Sequence, residues 1–371
     1  MPFKNIVFSL SLLAVTLSVS AQDAAKIFTR DSVMRVMERV ADWQLNNWAT
    51  KTIHPKYDWT NAAGYAGFLE YARLSRDNMY INYLLQLGNE LHWQTGPRRF
   101  MADDYCIGQT YANLYLMYKD PKMIANFKAQ ADSIITKPHT ESLEWKNNIN
   151  EREWAWCDAM FMGPTGLSYL STATGDPKYL DSAVSLWWKT YNYLYDPAEH
   201  LYFRDGSYLN KKEKNGQKVF WSRGNGWVMA GLVRVIDNMP ANYPERQKFI
   251  KLYKDMAARV ASLQQPDGSW HASLLDPASY PIKEASGTGF YTYALLWGLN
   301  NHVLDKKTYW PVVQKAWMAL DGCVQPDGML GYVQKIGAAP DKVNETSTEV
   351  YGVGAFLLAG SQLYKYIEIN K

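Results

Sequence analysis

Asp158 of this 371-residue chain stands in a segment of large aromatic and apolar side chains, residues 154–162, WAWCDAMFM. A carboxyl group held against tryptophan and methionine side chains loses hydration, and its pKa rises. Asp158 is therefore a candidate general acid at neutral pH, and Trp156 a candidate wall of its pocket. An aspartate beside tryptophan is also a common helix N-cap, and this structural interpretation stays open.

A second acidic position lies earlier in the chain, where Asp103 and Asp104 precede the segment YCIGQ at residues 105–109. Both positions lead into apolar segments, so the sequence offers two separate carboxylates to one pocket. Two carboxyl groups in different surroundings can take different protonation states and divide acid and base roles between them.

A third motif, FWSRGNGW at residues 220–227, carries a planar cation between aromatic rings. Arg223 suits a carboxylate, and Trp221 and Trp227 offer faces on which a ligand can stack. A surface arginine beside a glycine turn is the alternative. His271 ends the segment QPDGSWH and can join the same rim, although a lone histidine more often has a structural role.

The cysteines do not indicate a metal site. Cys106, Cys157 and Cys323 form an odd set with no C-x-x-C spacing and no adjacent histidine. We expect neither a metal ion nor a cofactor. A bridge between Cys106 and Cys157 is conceivable in an oxidising compartment, but the sequence favours buried free thiols.

The N-terminus is typical of an exported protein. A lysine at position 4 precedes an apolar run over residues 6–19, and small residues lead to Ala21. This pattern predicts a secretory signal peptide over residues 1–21 and a periplasmic or secreted protein. The run is shorter than the roughly 20 residues that cross a bilayer, so we expect no membrane anchor.

Composition narrows the class of ligand. The formal net charge is +3 and no basic run stands out, so nucleic acid and membrane surfaces are not expected partners. The chain has 15 Trp and 26 Tyr, whose flat amphipathic rings suit the faces of sugars. We expect an oligosaccharide partner and a monomer or weak homo-oligomer.

Short repeats predict the fold. The segment QPDG at residues 265–268 returns at residues 325–328, and six glycine-rich helix starts recur along the chain. The starts are at residues 61–64, 107–109, 164–166, 225–227, 287–289 and 351–354. Each predicts an inner helix followed by an amphipathic outer helix, such as residues 177–192 after Asp176. Six such hairpins predict an all-α, closed (α/α)6 barrel in one domain over residues 22–371, with an open solenoid as the alternative.

Together the motifs at residues 156–162, 220–227 and 265–271 resemble those of the unsaturated uronyl hydrolases of glycoside hydrolase family 105, relatives of family 88. The resemblance covers nearly all of the mature chain. It implies an (α/α)6 barrel that acts, without metal or cofactor, on the 4,5-unsaturated uronic acid left by polysaccharide lyases at the non-reducing end of oligosaccharides.

The resemblance also implies roles for individual residues. The principal catalytic aspartate corresponds to Asp158 and a second to Asp103, with a one-residue ambiguity toward Asp104. Arg223 and Trp227 correspond to the family's substrate-binding pair. Arg204 is a departure, because some members have histidine in the matching segment, and the substrate subtype is therefore left open.

Two other functions fit the same residues. A conventional inverting glycosidase would use Asp158 as acid and Asp103 or Asp104 as base, attacking C1 of a saturated sugar. A noncatalytic glycan-binding protein would keep the aromatic cleft and use the carboxylates only as hydrogen-bond acceptors.

Overall fold

The computed structural model describes residues 26–51, 54–137, 140–146 and 153–369. The predicted signal peptide lies outside these ranges and stays a prediction. Within them, no helix is both long enough and apolar enough to cross a membrane. The described chain contains twelve α-helices and two short antiparallel strand pairs.

Six of the helices form an inner ring. They are α2 (Trp59–Ala72), α4 (Cys106–Tyr118), α6 (Ala159–Thr174), α8 (Ser222–Asp237), α10 (Ala285–Asn300) and α12 (Val350–Ile369). The other six lie outside them. They are α1 (Arg30–Thr50), α3 (Met79–Glu90), α5 (Lys122–Ile135), α7 (Pro177–Leu194), α9 (Arg246–Ser262) and α11 (Lys306–Asp321).

The inner ring is closed. Each inner helix packs against the next one along the chain, and α12 packs against α2. At that seam a Cβ added to Gly67 would lie 2.1 Å from the carbonyl oxygen of Gly354, so two glycines let the backbones approach. The predicted (α/α)6 barrel is confirmed, and the open solenoid is wrong.

The order of the last hairpin differs from the prediction. The described chain begins with an outer helix, α1, and α1 packs against α12. Because α12 is the last helix of the described chain, its outer partner comes from the other end of the sequence. An ion pair of 3.0 Å between Arg30 Nη1 and Glu368 Oε1 joins the two helices.

Helix boundaries show where local signals suffice. The prediction for α7 is confirmed at its start, since the Asp176 carboxylate accepts a hydrogen bond of 3.1 Å from the Lys178 amide; the helix extends to Leu194. The predicted start of α6 at Pro164 is wrong, because that helix begins at Ala159. Pro164 has no N–H to offer the Met160 carbonyl, and the Thr165 hydroxyl donates to it instead at 3.1 Å.

The connections at the two ends of the ring differ in length. Those from an inner to the next outer helix are short, such as residues 175–176, whereas three of those from an outer to the next inner helix span residues 195–221, 263–284 and 322–349. The strand pairs lie in two of the long connections. β1 (Tyr195–Asp196) pairs with β2 (Leu201–Tyr202), and β3 (Trp270–His271) with β4 (Lys283–Glu284). The long connections surround the N-terminal ends of the inner helices.

Much of the aromatic content packs in the core. Seven of the 15 tryptophans are among the fully buried side chains, so core packing accounts for a large part of the tryptophan content. All three cysteines are buried free thiols, as expected.

Candidate active site

A cavity of about 190 Å³ opens among the N-terminal ends of the inner helices. Its lining residues come from five connections and helix starts around the ring. They are Trp59, Asp103, Trp156, Asp158, Met162, Arg204, Trp221, Arg223, Ile336 and Gly337. Helix N-termini carry partial positive charge, so this rim favours anionic groups. The cavity thus joins two carboxyl groups, two guanidinium groups and three tryptophan rings.

Asp158 occupies the N-cap position of α6, but its side chain makes no capping hydrogen bond there. The side chain is 15% exposed, and its Oδ2 lies 3.7 Å from Arg204 Nε and 3.5 Å from the thiol of Cys157, which donates to it. Burial raises the pKa of Asp158, although the nearby charges of Arg204 and Arg223 oppose that shift. The carboxyl group is free to react rather than used as a cap.

Asp103 lies in a short 3-10 helix, Ala102–Tyr105, directly before α4. Burial raises the pKa of Asp103 to about 7, and the charge of Asp158 adds to the shift. Two carboxyl groups that repel each other in this way share protons, so one of them stays protonated near neutral pH.

Asp104 points into a different environment and does not line the cavity. It is 3% exposed and forms a two-pronged ion pair with Arg98, whose Nη2 lies 2.5 Å from Oδ1 and whose Nε lies 3.2 Å from Oδ2. The Arg98 amide also donates to Asp104, at 2.6 Å. Asp104 therefore fixes the loop before the 3-10 helix, and the structure favours Asp103 as the second cavity carboxyl.

Arg223 lies on the wall of the cavity, but most of its surface is covered. It is 1% exposed, with its Cζ 4.3 Å from the ring centre of Trp221 and 4.8 Å from that of Tyr351. Its Nη1 donates to the Gln334 carbonyl at 2.6 Å, and Nη2 to the Lys335 carbonyl at 3.0 Å. Two rings cover its faces, and each terminal nitrogen donates one hydrogen bond to a backbone carbonyl.

Gln334, which the sequence did not single out, fixes the long connection between α11 and α12. Its backbone N–H donates to Glu284 Oε1 at 3.0 Å, and its side-chain Oε1 accepts from Trp221 Nε1 at 2.9 Å. Its carbonyl accepts from both Arg223 and the Tyr351 hydroxyl. This connection then contributes Ile336, 49% exposed, to the cavity mouth.

Arg204 is a second cation of the cavity. Its Nη1 donates to Asp205 at 2.6 Å, and its Cζ lies 4.5 Å from the ring centre of Trp145. Sequence reasoning noted Arg204 only as a departure from a family pattern. The adjacent motif Arg204-Asp205 and the aromatic Trp145 were the signals that could have placed it in the site.

Trp156 and Trp221 line the cavity, whereas two other residues predicted for the site lie outside it. Trp227 is fully buried, with its ring centre 4.9 Å from that of Phe161 and 4.2 Å from that of Phe290, so it is a core residue. His271 lies on β3, with its Nε2 3.5 Å from Asp267 Oδ2. Trp227 is close to Arg223 in the sequence, but on α8 its side chain points into the core and not into the cavity.

Among the described residues, no group of three or more histidine, cysteine, aspartate and glutamate side chains could hold a metal ion. The expectation of a reaction without metal or cofactor stays a prediction. The groups present can donate a proton, accept one and hold an anion.

Comparisons with known proteins place this geometry in a family. The family model described as Glycosyl Hydrolase Family 88 matches residues 34–367. A relative from Formosa agariphila, named unsaturated 3S-rhamnoglycuronyl hydrolase, is 37% identical over 97% of this chain and 99% of its own length.

Solved structures agree on the fold. A glycosyl hydrolase family 88 protein from Bacteroides vulgatus is 30% identical with a TM-score of 0.81, covering 91% of this chain and 99% of its own. A chain named as a polysaccharide lyase is 33% identical with a TM-score of 0.83, covering 91% and 98%. A possible family 105 member from Salmonella enterica, 19% identical with a TM-score of 0.75, shares the fold.

Proposed function

The chain belongs to glycosyl hydrolase family 88, and from this membership and the cavity we propose that it removes a 4,5-unsaturated uronic acid from the non-reducing end of an oligosaccharide. It is a glycoside hydrolase. The observation that carries the proposal is the pair Asp103 and Asp158, two carboxyl groups with raised pKa values in one small cavity.

The chemistry of the substrate determines which atom is protonated first. A C4=C5 double bond conjugated to the ring oxygen is an enol ether, so protonation at C4 leaves an oxocarbenium centre at C5. Water then adds to C5 and gives a hemiketal, which opens and releases the rest of the oligosaccharide. The bond at C1 is not attacked directly, and the usual rule relating carboxylate separation to stereochemistry does not apply.

Asp158 is the residue that we assign to the proton transfer to C4. It is held in place without a capping role, and burial favours its protonated form. Once it has given up its proton, the carboxylate assists the attacking water. Acid–base help of this kind accelerates a reaction by roughly 100- to 10,000-fold.

Asp103 has a supporting role across the cavity. Burial and the charge of Asp158 together raise the pKa of Asp103 to about 7, so the two carboxyl groups hold a proton between them near neutral pH. We assign to Asp103 the orientation of the substrate or of the attacking water. The rings of Trp59, Trp156 and Trp221 supply flat walls for the sugar.

The test is the reaction of lyase-generated oligosaccharides in heavy water. The absorbance of the conjugated alkene should fall, and the released keto sugar should carry deuterium at C4. A product without deuterium at C4 would support attack at C1 instead. A rise in absorbance with a saturated polysaccharide would support a lyase, the activity for which one solved relative is named.

The sugar to which the unsaturated uronic acid is linked should contact parts of the cavity mouth beyond the two carboxyl groups. Two relatives, 37% and 34% identical, are named unsaturated 3S-rhamnoglycuronyl hydrolase. We therefore propose a rhamnose-linked unsaturated uronic acid as the first substrate to assay, beside galactose- and glucosamine-linked ones. Equal rates on all three would remove the rhamnose assignment.

We further propose that the protein is exported after cleavage behind Ala21 and acts as a monomer or weak homo-oligomer. The support is the leader pattern of residues 1–21. N-terminal sequencing of the mature protein tests the cleavage, and light scattering at several concentrations tests the oligomeric state. An N-terminus at Met1 would refute export.

A further inference from the structure

The cavity contains two guanidinium groups, and their surroundings differ. Arg223 is 1% exposed, lies between two rings and donates to two backbone carbonyl groups. Arg204 is 16% exposed, has a ring on one side, and makes one side-chain hydrogen bond to the described residues, from Nη1 to Asp205. Nη2 of Arg204 makes no hydrogen bond with them. Arg204 is therefore the guanidinium with a free, accessible donor group.

The backbone fixes Arg204 beside Asp158. The Cys157 amide donates to the Arg204 carbonyl at 2.8 Å, and Trp156 forms an isolated antiparallel bridge with Asp205. Two paired segments thus present the cation and the acid side by side. The 3.7 Å between Arg204 Nε and Asp158 Oδ2 is too long for a hydrogen bond, so the two groups attract without being locked together.

We propose that Arg204, and not Arg223, is the cation that binds the carboxylate of the unsaturated uronic acid, and that this binding withdraws its charge from Asp158. The inference rests on the proposed function. A carboxylate offers two oxygens to a planar guanidinium and forms a short, charge-assisted pair with it. Such a pair competes with the looser attraction between Arg204 and Asp158.

The exchange links binding to chemistry. Before the substrate binds, burial raises the pKa of Asp158, and the charges of Arg204 and Arg223 partly oppose that shift. The other titratable groups that face Asp158 are the Cys157 thiol, Asp103 and the hydroxyls of Tyr208 and Tyr351. When the substrate carboxylate neutralises Arg204, less cationic charge opposes the effect of burial on Asp158. Asp158 therefore holds its proton once the sugar, which carries the alkene beside that carboxylate, is bound.

The experiment compares two substrates that differ by one charge, the unsaturated uronyl oligosaccharide and its C6 methyl ester. The wild type should prefer the acid by roughly 30-fold or more in kcat/KM, as expected for a desolvated charge pair. Arg204→Gln should lose that preference, because its loss of kcat/KM should be much larger for the acid than for the ester. Arg223→Gln should keep the preference, even if a disturbed loop lowers both rates.

A pH profile separates this role from a merely structural one. Removing the charge of Arg204 favours the protonated form of Asp158, so the basic limb of kcat/KM for the ester should move to higher pH in Arg204→Gln. Arg204→Lys keeps the positive charge, so the basic limb of kcat/KM for the ester should stay near its wild-type pH. This variant should also keep part of the preference for the acid over the ester. Arg259→Gln, which removes a partly buried arginine paired with Glu199, is the matched control and should change neither readout.

The outcomes are distinct. If Arg204→Gln keeps the acid preference, or if Arg223→Gln is the variant that loses it, Arg204 is not the carboxylate-binding residue. If the ester profile does not move in Arg204→Gln, the link to Asp158 is wrong. If the wild type consumes neither substrate, the proposed function itself fails, and this inference fails with it.

Discussion

At the rim where the inner helices begin, burial raises the pKa of Asp103 to about 7 and also raises that of Asp158. At the opposite end of the same ring, burial acts on Glu70 too, but Arg73, Lys365 and Arg234 lower its pKa below the ordinary value. Glu70 Oε1 lies 2.9 Å from Arg73 Nη1. Comparable carboxyl groups in one barrel therefore titrate in opposite directions.

Helix dipoles alone predict a different result. They favour carboxylates at helix N-termini and cations at helix C-termini. The C-terminal end follows this rule, with Arg234 1% exposed near the ends of the inner helices, its Nε donating to Gln109 at 3.0 Å and its Cζ 4.9 Å from the ring centre of Tyr169. At the N-terminal rim, burial and mutual repulsion exceed the dipoles. At the C-terminal end, cations neutralise the buried carboxylate and stabilise the barrel. At the N-terminal rim, a carboxyl group stays protonated and can act as an acid.

The largest effect should come from Asp158→Asn. The amide keeps the shape of the side chain but cannot give a proton to C4, so turnover should fall by roughly 100- to 10,000-fold. Binding should survive, because the aromatic walls and Arg204 remain. Alkene absorbance measures turnover, and titration calorimetry measures binding. Near-normal turnover by the folded variant would remove Asp158 from the mechanism.

At the neutralised end, Glu70→Ala should act on stability instead. It leaves Arg73 and Arg234 without their anion, and we expect a loss of about 2 to 4 kcal/mol in the free energy of unfolding. Because the pKa of Glu70 is lowered in the fold, its contribution is present above about pH 4.5 and is lost as the pH falls through the folded-state value. Urea unfolding at pH 7 and pH 3.5 measures both.

The control for this prediction is Glu90→Ala, which removes an exposed carboxylate paired with Lys56. Exposed pairs contribute about 1 kcal/mol or less, so its effect should be small. The catalytic rate of folded Glu70→Ala should match the wild type. A loss of activity without a loss of stability would contradict the division between the two ends.

The barrel could be predicted because its signals are local and repeated. Glycine-rich helix starts and the cap at Asp176 depend on neighbouring residues, and six repeats imply closure. The pairing of α1 with α12 could not be predicted in this way, since it joins opposite ends of the chain. The start of α6 was missed because Pro164 ordinarily marks a helix start, whereas here the Thr165 hydroxyl replaces its missing hydrogen bond.

The site was predictable only in part, for a similar reason. Asp158 and Asp103 stand in unusual local sequence, and both line the cavity. The distinction between Arg223 and Arg204 depends on Gln334, 111 and 130 positions further along the chain. Trp227 has the sequence context of a binding residue and the position of a core residue. The positions of these side chains depend on packing between residues far apart in the sequence, and motif spacing does not reveal such contacts.

A smaller effect should appear in the stability of Asp103→Asn. An aspartate ordinarily has a pKa of 3.8, whereas the fold raises that of Asp103 to about 7. Ionising Asp103 therefore disfavours the folded state. The stability of the wild type should fall as the pH rises from about 4 through 7. Asparagine does not ionise. The variant should therefore exceed the wild type by roughly 2 kcal/mol at pH 8, with little difference at pH 4.5.

Asp104→Asn is the matched comparison for Asp103→Asn, because it changes the neighbouring carboxyl. It weakens the pair with Arg98 and should destabilise the protein at both pH values. Urea unfolding of the two variants at pH 4.5 and pH 8 decides the matter. If Asp103→Asn is less stable than the wild type at pH 8, the raised pKa of Asp103 is wrong.

The smallest effect should come from His271→Asn, a change close to the rim but outside the cavity. Burial lowers the pKa of His271, but the pair with Asp267 outweighs it and the net shift is upward. The pair therefore stabilises the fold most below pH 6.5 and loses its effect as the pH rises through the folded-state pKa. Because Asp267 is 45% exposed, the loss should be about 1 kcal/mol or less, seen at pH 5.5 and not at pH 8.5. Turnover should stay within about twofold of the wild type, since catalysis follows contact with the cavity rather than position at the same end of the barrel. A large fall in kcat/KM with an unchanged unfolding curve would return His271 to the active site and extend the reactive rim beyond the two carboxyl groups.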